Sequence, residues 1–243
     1  MLVLRTGDDA KFVARWELEG VSGVVVAVDV LRAFTTAAYA LAAGASSIWL
    51  VGGVEEALTL GRAIAGSLVM GEEHGRRPPA FDLSNSPVEV SRADVAGRIL
   101  VQRTSAGTQG VIAATGAHRL FAASLVCASA TAAAIRDAEL GAPTYVITGR
   151  FPDEPDGGED DLLAAQLIER ARLGQPLDGV ATAEAVARSD EAVRTLAVGD
   201  GHVHPDDIAY ATVVDRFDFA MEVERVDGGL RLVRRDIDHR SSP

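Results

Sequence analysis

The sequence predicts a layered α/β/α fold built on a mostly parallel or mixed sheet, and three observations lead there. Val24–Val28 is a run of β-branched residues with the composition of a strand buried on both faces. Alanine-rich helical stretches alternate with further apolar strands, a succession that gives parallel sheets with helices on their faces. Near the C-terminal end, two strand-like stretches flank Asp227-Gly228-Gly229, a hairpin signature.

Taken in order, Leu2 to Leu4 reads as a short strand, while Lys11 to Glu19 fits neither helix nor strand cleanly. After Val28 a helix is expected over Ala33 to Ala43, closed by Gly44, then a strand at Ser47 to Val51, a helix at Val54 to Ala65 and a strand at Ser67 to Met70. Gly71 to Pro87, with three prolines and two glycines, is expected to be a long functional loop. Gly97 to Val101 resumes a strand, Ser105-Ala106-Gly107-Thr108 opens a helix through Ala114, and Arg119 to Ala122 is a short strand. A helix at Ser129 to Glu139 and a strand at Thr144 to Thr148 precede a turn-rich loop at Gly149 to Gly158, which delivers Glu159, Asp160 and Asp161 to the start of a helix reaching Leu173. Helices at Thr182 to Arg188, Ser189 to Ala197 and Pro205 to Val214 lead to the hairpin of Phe219 to Val226 and Leu230 to Arg235. One domain spanning residues 1–243 is expected, with its motifs in about 24–173.

The 48% hydrophobic content and mean hydropathy of +0.14 belong to a compact globule. A formal net charge of -12, from 23 basic and 35 acidic residues, argues against a nucleic-acid or anionic-membrane partner. Cys127 is the only cysteine, which excludes an internal disulfide and a multi-cysteine zinc site. Position 133 is alanine where a thiolate phosphatase would carry arginine, so a small core thiol is expected. The chain shows neither a signal-peptide core nor a membrane-spanning run, and a cytoplasmic setting is expected.

Four strand-to-helix turns share a vocabulary of carboxylate, arginine, amide and small hydroxyl. They are D-V-L-R-A-F-T-T (Asp29 to Thr36), F-D-L-S-N-S-P (Phe81 to Pro87), Q-R-T-S-A-G-T (Gln102 to Thr108) and G-G-E-D-D (Gly157 to Asp161). A parallel sheet brings such turns to one edge. Mg²⁺ takes hard oxygen ligands, and Asp29, Glu72, Asp82, Glu159 and Asp160 are the candidates. Asp29, Glu72 and Asp160 are the first choices as metal ligands, with Asp82 and Glu159 as alternates or water-activating bases. Arg32 and Arg103 suit oxyanions, as do Thr35 and Thr36 near one helix start and Thr104, Ser105, Gly107 and Thr108 at another. The same residues also suit structural roles: an N-capping Asp29 salt-bridged to Arg32, a capped glycine turn, solvated carboxylates. Glu73 and Asp161 are assigned to that structural class. His74 is either a proton shuttle or a solvent-exposed loop histidine. No P-loop or G-x-G-x-x-G motif occurs. Leu31 stands where an aspartyl-phosphate nucleophile would have its second aspartate, so metal-assisted attack by water is favoured over covalent catalysis.

In this order and spacing, V-D-V-L-R-A-x-T-T, G-E, F-D-L-x-N-S-P, T-x-x-G-T and E-D-x-L resemble the 2-phosphosulfolactate phosphatase (ComB) family over roughly residues 24–173. The resemblance implies a layered α/β fold with its site in a cleft. It also implies Mg²⁺-dependent hydrolysis of 2-phospho-3-sulfolactate to 3-sulfolactate and phosphate, a step toward coenzyme M in methane-forming organisms. It carries function onto Asp29, Arg32, Thr35 and Thr36, onto Glu72, onto Asp82, Asn85 and Ser86, onto Thr104, Gly107 and Thr108, and onto Glu159 and Asp160. The chain departs from the family's usual pattern at Ser84 (glycine), Ser105-Ala106 (threonine-asparagine), Leu163 (cysteine) and Ala165 (glycine). Loss of the amide at Ala106 removes a polar contact, and sites built for hydrogen bonds discriminate strongly. Two alternatives therefore stay open: a phosphatase of another small phosphorylated hydroxy acid, or a non-catalytic phosphometabolite-binding protein. The expected ligand is a small anionic phosphate ester, and apolar content with family habit suggests a homodimer.

Overall fold

The computed structural model describes residues 9–199 and 201–237, so the strand expected at Leu2 to Leu4 lies outside the described residues. The strands are β1 (Lys11–Val13), β2 (Val24–Val28), β3 (Ser47–Val51), β4 (Leu68–Gly71), β5 (Leu83–Ser84), β6 (Ile99–Arg103), β7 (Arg119–Ala123), β8 (Thr144–Ile147), β9 (Phe219–Val226) and β10 (Gly229–Asp236). The helices are α1 (Ala33–Ala42), α2 (Val54–Ala63), α3 (Pro87–Arg92), α4 (Gly107–Ala113), α5 (Ala128–Asp137), α6 (Glu159–Arg172), α7 (Gly179–Ala187), α8 (Asp190–Ala197) and α9 (Asp207–Ala211). Among the described residues no helix is long and apolar enough to cross a membrane.

All ten described strands belong to one sheet, in the order β1-β8-β2-β7-β9-β10-β3-β6-β4-β5. It consists of two parallel blocks, β1-β8-β2-β7 and β3-β6-β4-β5. The expected C-terminal hairpin is present and joins them, with β9 antiparallel to β7 and β10 antiparallel to β3. The last strands of the chain thus occupy the middle of the sheet.

Side-chain alternation on β2 explains the layering. Val24, Val26 and Val28 pack with α5 and α6, whereas Val25 and Ala27 face the cluster that holds α1. The second block does the same: Val51, Val69 and Val101 pack on α2, while Ile48, Leu50 and Leu100 join the α1 cluster together with Val111 of α4. Helices α1 and α4 therefore share one core with the inner faces of both blocks. Four strands separate β2 from β6 in the sheet, yet Gln102 of β6 donates to the Ala33 carbonyl of α1 at 2.9 Å. The sheet curls, and its two parallel blocks converge on the pair of inner helices.

Local departures from the expected elements have identifiable causes. The Lys11 to Glu19 stretch divides into β1 and a 3-10 turn at Arg15–Glu17. The long loop after β4 contains the two-residue strand β5 and is followed by α3, which sequence reading missed because it has only six residues. Its start signal was present: Ser86 accepts from the Glu89 N–H at 3.2 Å, and Pro87 occupies the first turn. Gly71 is required where β4 meets β6, since a Cβ there would lie 1.9 Å from the Arg103 carbonyl oxygen at φ +131.

Burial of the hairpin makes it a stability element rather than an appendage. Phe219→Ala, at a side chain 1% exposed, should lower unfolding free energy by about 3–5 kcal/mol in urea titration. Val193→Ala, at a residue 64% exposed, should change it by less than about 0.5 kcal/mol. Equal effects would show that the seam is not part of the cooperative core.

Candidate active site

The parallel strands of both blocks end at one edge, and β2 delivers Asp29 there. Its carboxylate is 5% exposed and accepts the Ala33 N–H at 2.8 Å, so it caps the first turn of α1. It also accepts the Gly107 N–H of α4 and the Thr148 hydroxyl, the latter at 3.4 Å. A Cβ on Gly107 would sit 2.7 Å from Asp29 Oδ2 and 2.7 Å from the Ala33 methyl. The glycine of T-x-x-G-T is therefore the residue that lets α4 reach the aspartate.

Asp160 and Asp161 return to the same edge because the loop between them and β8 closes on itself. A Cβ on Gly149 would lie 2.9 Å from the Gly158 Cα, and Gly158 takes φ +74. Asp161, read from sequence as a structural residue, is 2% exposed; it accepts from Val30 N and Gly149 N, each at 2.8 Å, and from Thr148 Oγ1 at 3.3 Å. It pins the ends of β2 and β8 and shares Thr148 with Asp29. Asp160, 3% exposed, accepts from Leu31 N. Glu159, at the same helix start, is exposed, and its own N–H donates to Glu191 at 3.4 Å. Glu191 also accepts from Gly158 N at 2.9 Å and was not legible as a neighbour of the site.

The second block contributes Glu72, 6% exposed, just past β4. Its oxygens accept from Ser105 N at 2.5 Å, Gly75 N at 2.6 Å and Ser105 Oγ at 3.1 Å. Arg103 is engaged locally, donating to Glu72 O at 2.7 Å, Gly52 O at 3.3 Å and Ser105 Oγ at 3.2 Å while pairing with Glu73 at 3.3 Å. Thr104 and Thr108 bond each other reciprocally: each hydroxyl accepts the other's N–H, at 3.0 and 2.9 Å. They brace the start of α4.

Arg32 points to a partner that local sequence does not reveal. Its Nη1 donates to Asp207 Oδ2 at 2.7 Å and to the His202 carbonyl at 3.1 Å, while Asp29 is not its partner. Ser86 donates to the other Asp207 oxygen at 2.6 Å. Thr35 donates to Val30 O at 2.8 Å and bonds Ser124 at 2.5 Å. Three buried atoms around α1 have no hydrogen-bond partner among the described residues: Thr36 Oγ1, Asn85 Oδ1 and Gln102 Oε1. A cavity of about 500 Å³ lined by Arg77, Ser86, Arg92, His202 and His204 adjoins the Arg32–Asp207 pair. Asp82 stands apart: it is exposed and caps Val69 N at 2.8 Å. His74 is exposed, and Cys127 is a fully buried core thiol whose pKa burial raises.

The motifs that meet at this edge carry a family signature. Residues 12–225 match the family profile described as 2-phosphosulpholactate phosphatase. The chain belongs to the 2-phosphosulfolactate phosphatase family. A relative from Thermus thermophilus is 38% identical over 68% of this chain and 70% of its own length. One from Bacillus subtilis is 30% identical over 87% and 91%, and one from Thermoplasma acidophilum 29% identical over 93% and 94%. Each of the three is named a probable 2-phosphosulfolactate phosphatase.

In this family member the gathered carboxylates raise one another. Burial first, then the charge of Glu72, lifts Asp29 from 3.8 to about 6 against the pull of its N–H donors. Burial, Glu191 and Asp29 lift Asp160 to about 8, and burial with Asp160 and Asp29 lifts Asp161 well above the usual range. Among the described residues no three His, Cys, Asp or Glu side chains form a ready-made metal cage. Magnesium, however, is ordinarily held by one or two carboxylates with waters and substrate phosphate. The hard-oxygen pair Asp29 and Asp160 fits that requirement.

Two outcomes follow. Because the folded pKa values are raised, stability from these groups is complete below the unfolded value of 3.8 and is lost as pH rises through about 6 and about 8. The melting temperature of metal-free protein should fall from about pH 5 to about pH 8, and Asp160→Asn should flatten the fall and melt higher at the upper end. An Asp160→Asn protein less stable than wild type there would contradict the crowding. Gly107→Ala should cost about 1–3 kcal/mol and lower turnover by about 10²-fold through displacement of Asp29, read by denaturation and kinetics on the same preparation.

Proposed function

We propose that this protein is a phosphohydrolase that converts 2-phospho-3-sulfolactate and water to 3-sulfolactate and phosphate, with Mg²⁺ as its cofactor. The observation that carries the reading is the convergence of Asp29, Asp160 and Glu72, buried carboxylates from three separated motifs, at the C-terminal edge of the parallel blocks. Family membership supports it. Asp29 and Asp160, with Glu72 beside them, would hold the Mg²⁺, which when bound would supply charge neutralisation of the phosphate and activation of a water. Asp29 is fixed by two helix-start N–H groups and Thr148, which hold its carboxylate toward the site where the phosphate ester would bind. Asp161 and Glu72 hold the surrounding loops by their backbone N–H groups, so the Asp29 carboxylate stays oriented without reorganisation. The unpartnered Thr36 Oγ1 and Asn85 Oδ1 are polar groups that a bound ligand would satisfy.

A second reading, hydrolysis of another small phosphorylated hydroxy acid, is favoured by one observation. The N-cap of α4 is Ala106, which makes no side-chain cap bond, so the polar contact of the family's usual asparagine is missing. Phosphate release from 2-phosphosulfolactate and a panel of phosphorylated hydroxy acids, with Mg²⁺ and with chelator, distinguishes the two. Chelator-sensitive release from phosphosulfolactate is expected, and Asp29→Asn should lower it by about 10²–10⁴-fold with the fold retained by circular dichroism. Preference for another ester would replace the substrate, and saturable binding with no release from any ester would make the protein a binder.

A further inference from the structure

We infer that Arg15 and Arg150 form a clamp at the rim of the carboxylate site for those anionic groups of the substrate that are not transferred. This rests on the phosphohydrolase reading. The arginines that sequence motifs nominate for oxyanions have protein partners: Arg32 binds Asp207, and Arg103 binds Glu73, Gly52, Glu72 and Ser105. A substrate with several negative charges approaching a protein of net charge -12 needs cations from elsewhere.

Topology supplies two. Strands β1, β8 and β2 are adjacent and parallel, so Arg15, Arg150 and Asp29, each just past a strand's C-terminal end, lie along one edge. Arg15 reaches across the mouth between the two blocks. Its guanidinium carbon lies 4.9 Å from the centre of the Phe151 ring, beyond β8, and its Nη1 lies 3.5 Å from the carbonyl of Ser105, beyond β6. Ser105 in turn holds Glu72. Among the described residues neither Arg15 nor Arg150 takes part in an ion pair, and Arg150 Nε is buried with no hydrogen-bond partner. Burial lowers the Arg15 pKa with no neighbouring carboxylate to offset it. A half-buried guanidinium positioned by a ring and a carbonyl, beside another whose Nε is unsatisfied, is suited to the forked oxygens of a carboxylate or sulfonate. The carboxylates beneath would face phosphorus, which leaves the rim for the other acid groups.

The test is calorimetric binding of 3-sulfolactate and, separately, inorganic phosphate to wild type, Arg15→Gln, Arg15→Lys and Arg150→Gln, each checked for an unchanged melting temperature. Both glutamine variants should weaken 3-sulfolactate by about tenfold or more, Arg15→Lys should recover part of that loss, and phosphate should be affected less. In turnover the same variants should raise KM more than they lower kcat. Unchanged 3-sulfolactate affinity in the glutamine variants, equal loss for both ligands, or no 3-sulfolactate binding by wild type would overturn the clamp. Failure of the hydrolytic reading is separate: arginine-dependent 3-sulfolactate binding without phosphate release from any ester supports the clamp and removes the reaction.

Discussion

The site depends on one close approach, that of the Asp29 carboxylate to the backbone of Gly107. The two residues follow strands that four others separate in the sheet, so they meet only because the sheet curls around α1 and α4. Everything at the edge is built outward from that contact. Thr104 and Thr108 brace the turn that carries Gly107, Ser105 holds Glu72 beside it, and Asp161 fastens β2 to β8 on the other flank. A protein interior is too densely packed to absorb a Cβ at such a point without displacing one of these groups.

The electrostatic consequence is a crowd of carboxylates in a buried place. Asp29, Asp160 and Asp161 all hold their protons more tightly than usual, and Glu72 and Glu191 add to the field. Such crowding is costly to a folded chain, and function is where such costs tend to be retained. The cations near the site divide in the opposite sense. Arg32 is neutralised by Asp207, and Arg103 is neutralised by Glu73 of the loop after β4, while Arg15 and Arg150 remain on the rim. Negative charge beneath and positive charge above is an arrangement suited to a ligand that brings both a phosphate and other acid groups.

Local sequence carried most of the elements because strands such as Val24–Val28 and Ser47–Val51 are largely apolar runs that end at an acidic residue or a glycine. It carried the motifs at the edge for the same reason: they sit where those runs end. Long-range pairing was not legible. Arg32 finds Asp207 across 175 residues, in a segment that reads as an ordinary helix start, and nothing in either stretch names the other. The Glu159-Asp160-Asp161 run shows a different limit, since neighbouring helical residues point in different directions and only burial tells that the last two face inward. Arg15 lay in a stretch with no clear period, and Arg150 in a loop defined by its glycines and prolines, so neither stood out as chemistry. The hairpin was recognisable, but its place between two parallel blocks is a property of the whole sheet.

The most direct measurement is a crystal structure of the protein with inorganic phosphate and Mg²⁺. The expected result is phosphate at the C-terminal edge of β2 and β8, beside Asp29 and Asp160, with Arg15 and Arg150 above it. Phosphate seated instead between Arg77 and Arg92, in the cavity beyond the Arg32–Asp207 pair, would contradict the assignment of the carboxylate edge as the reaction site.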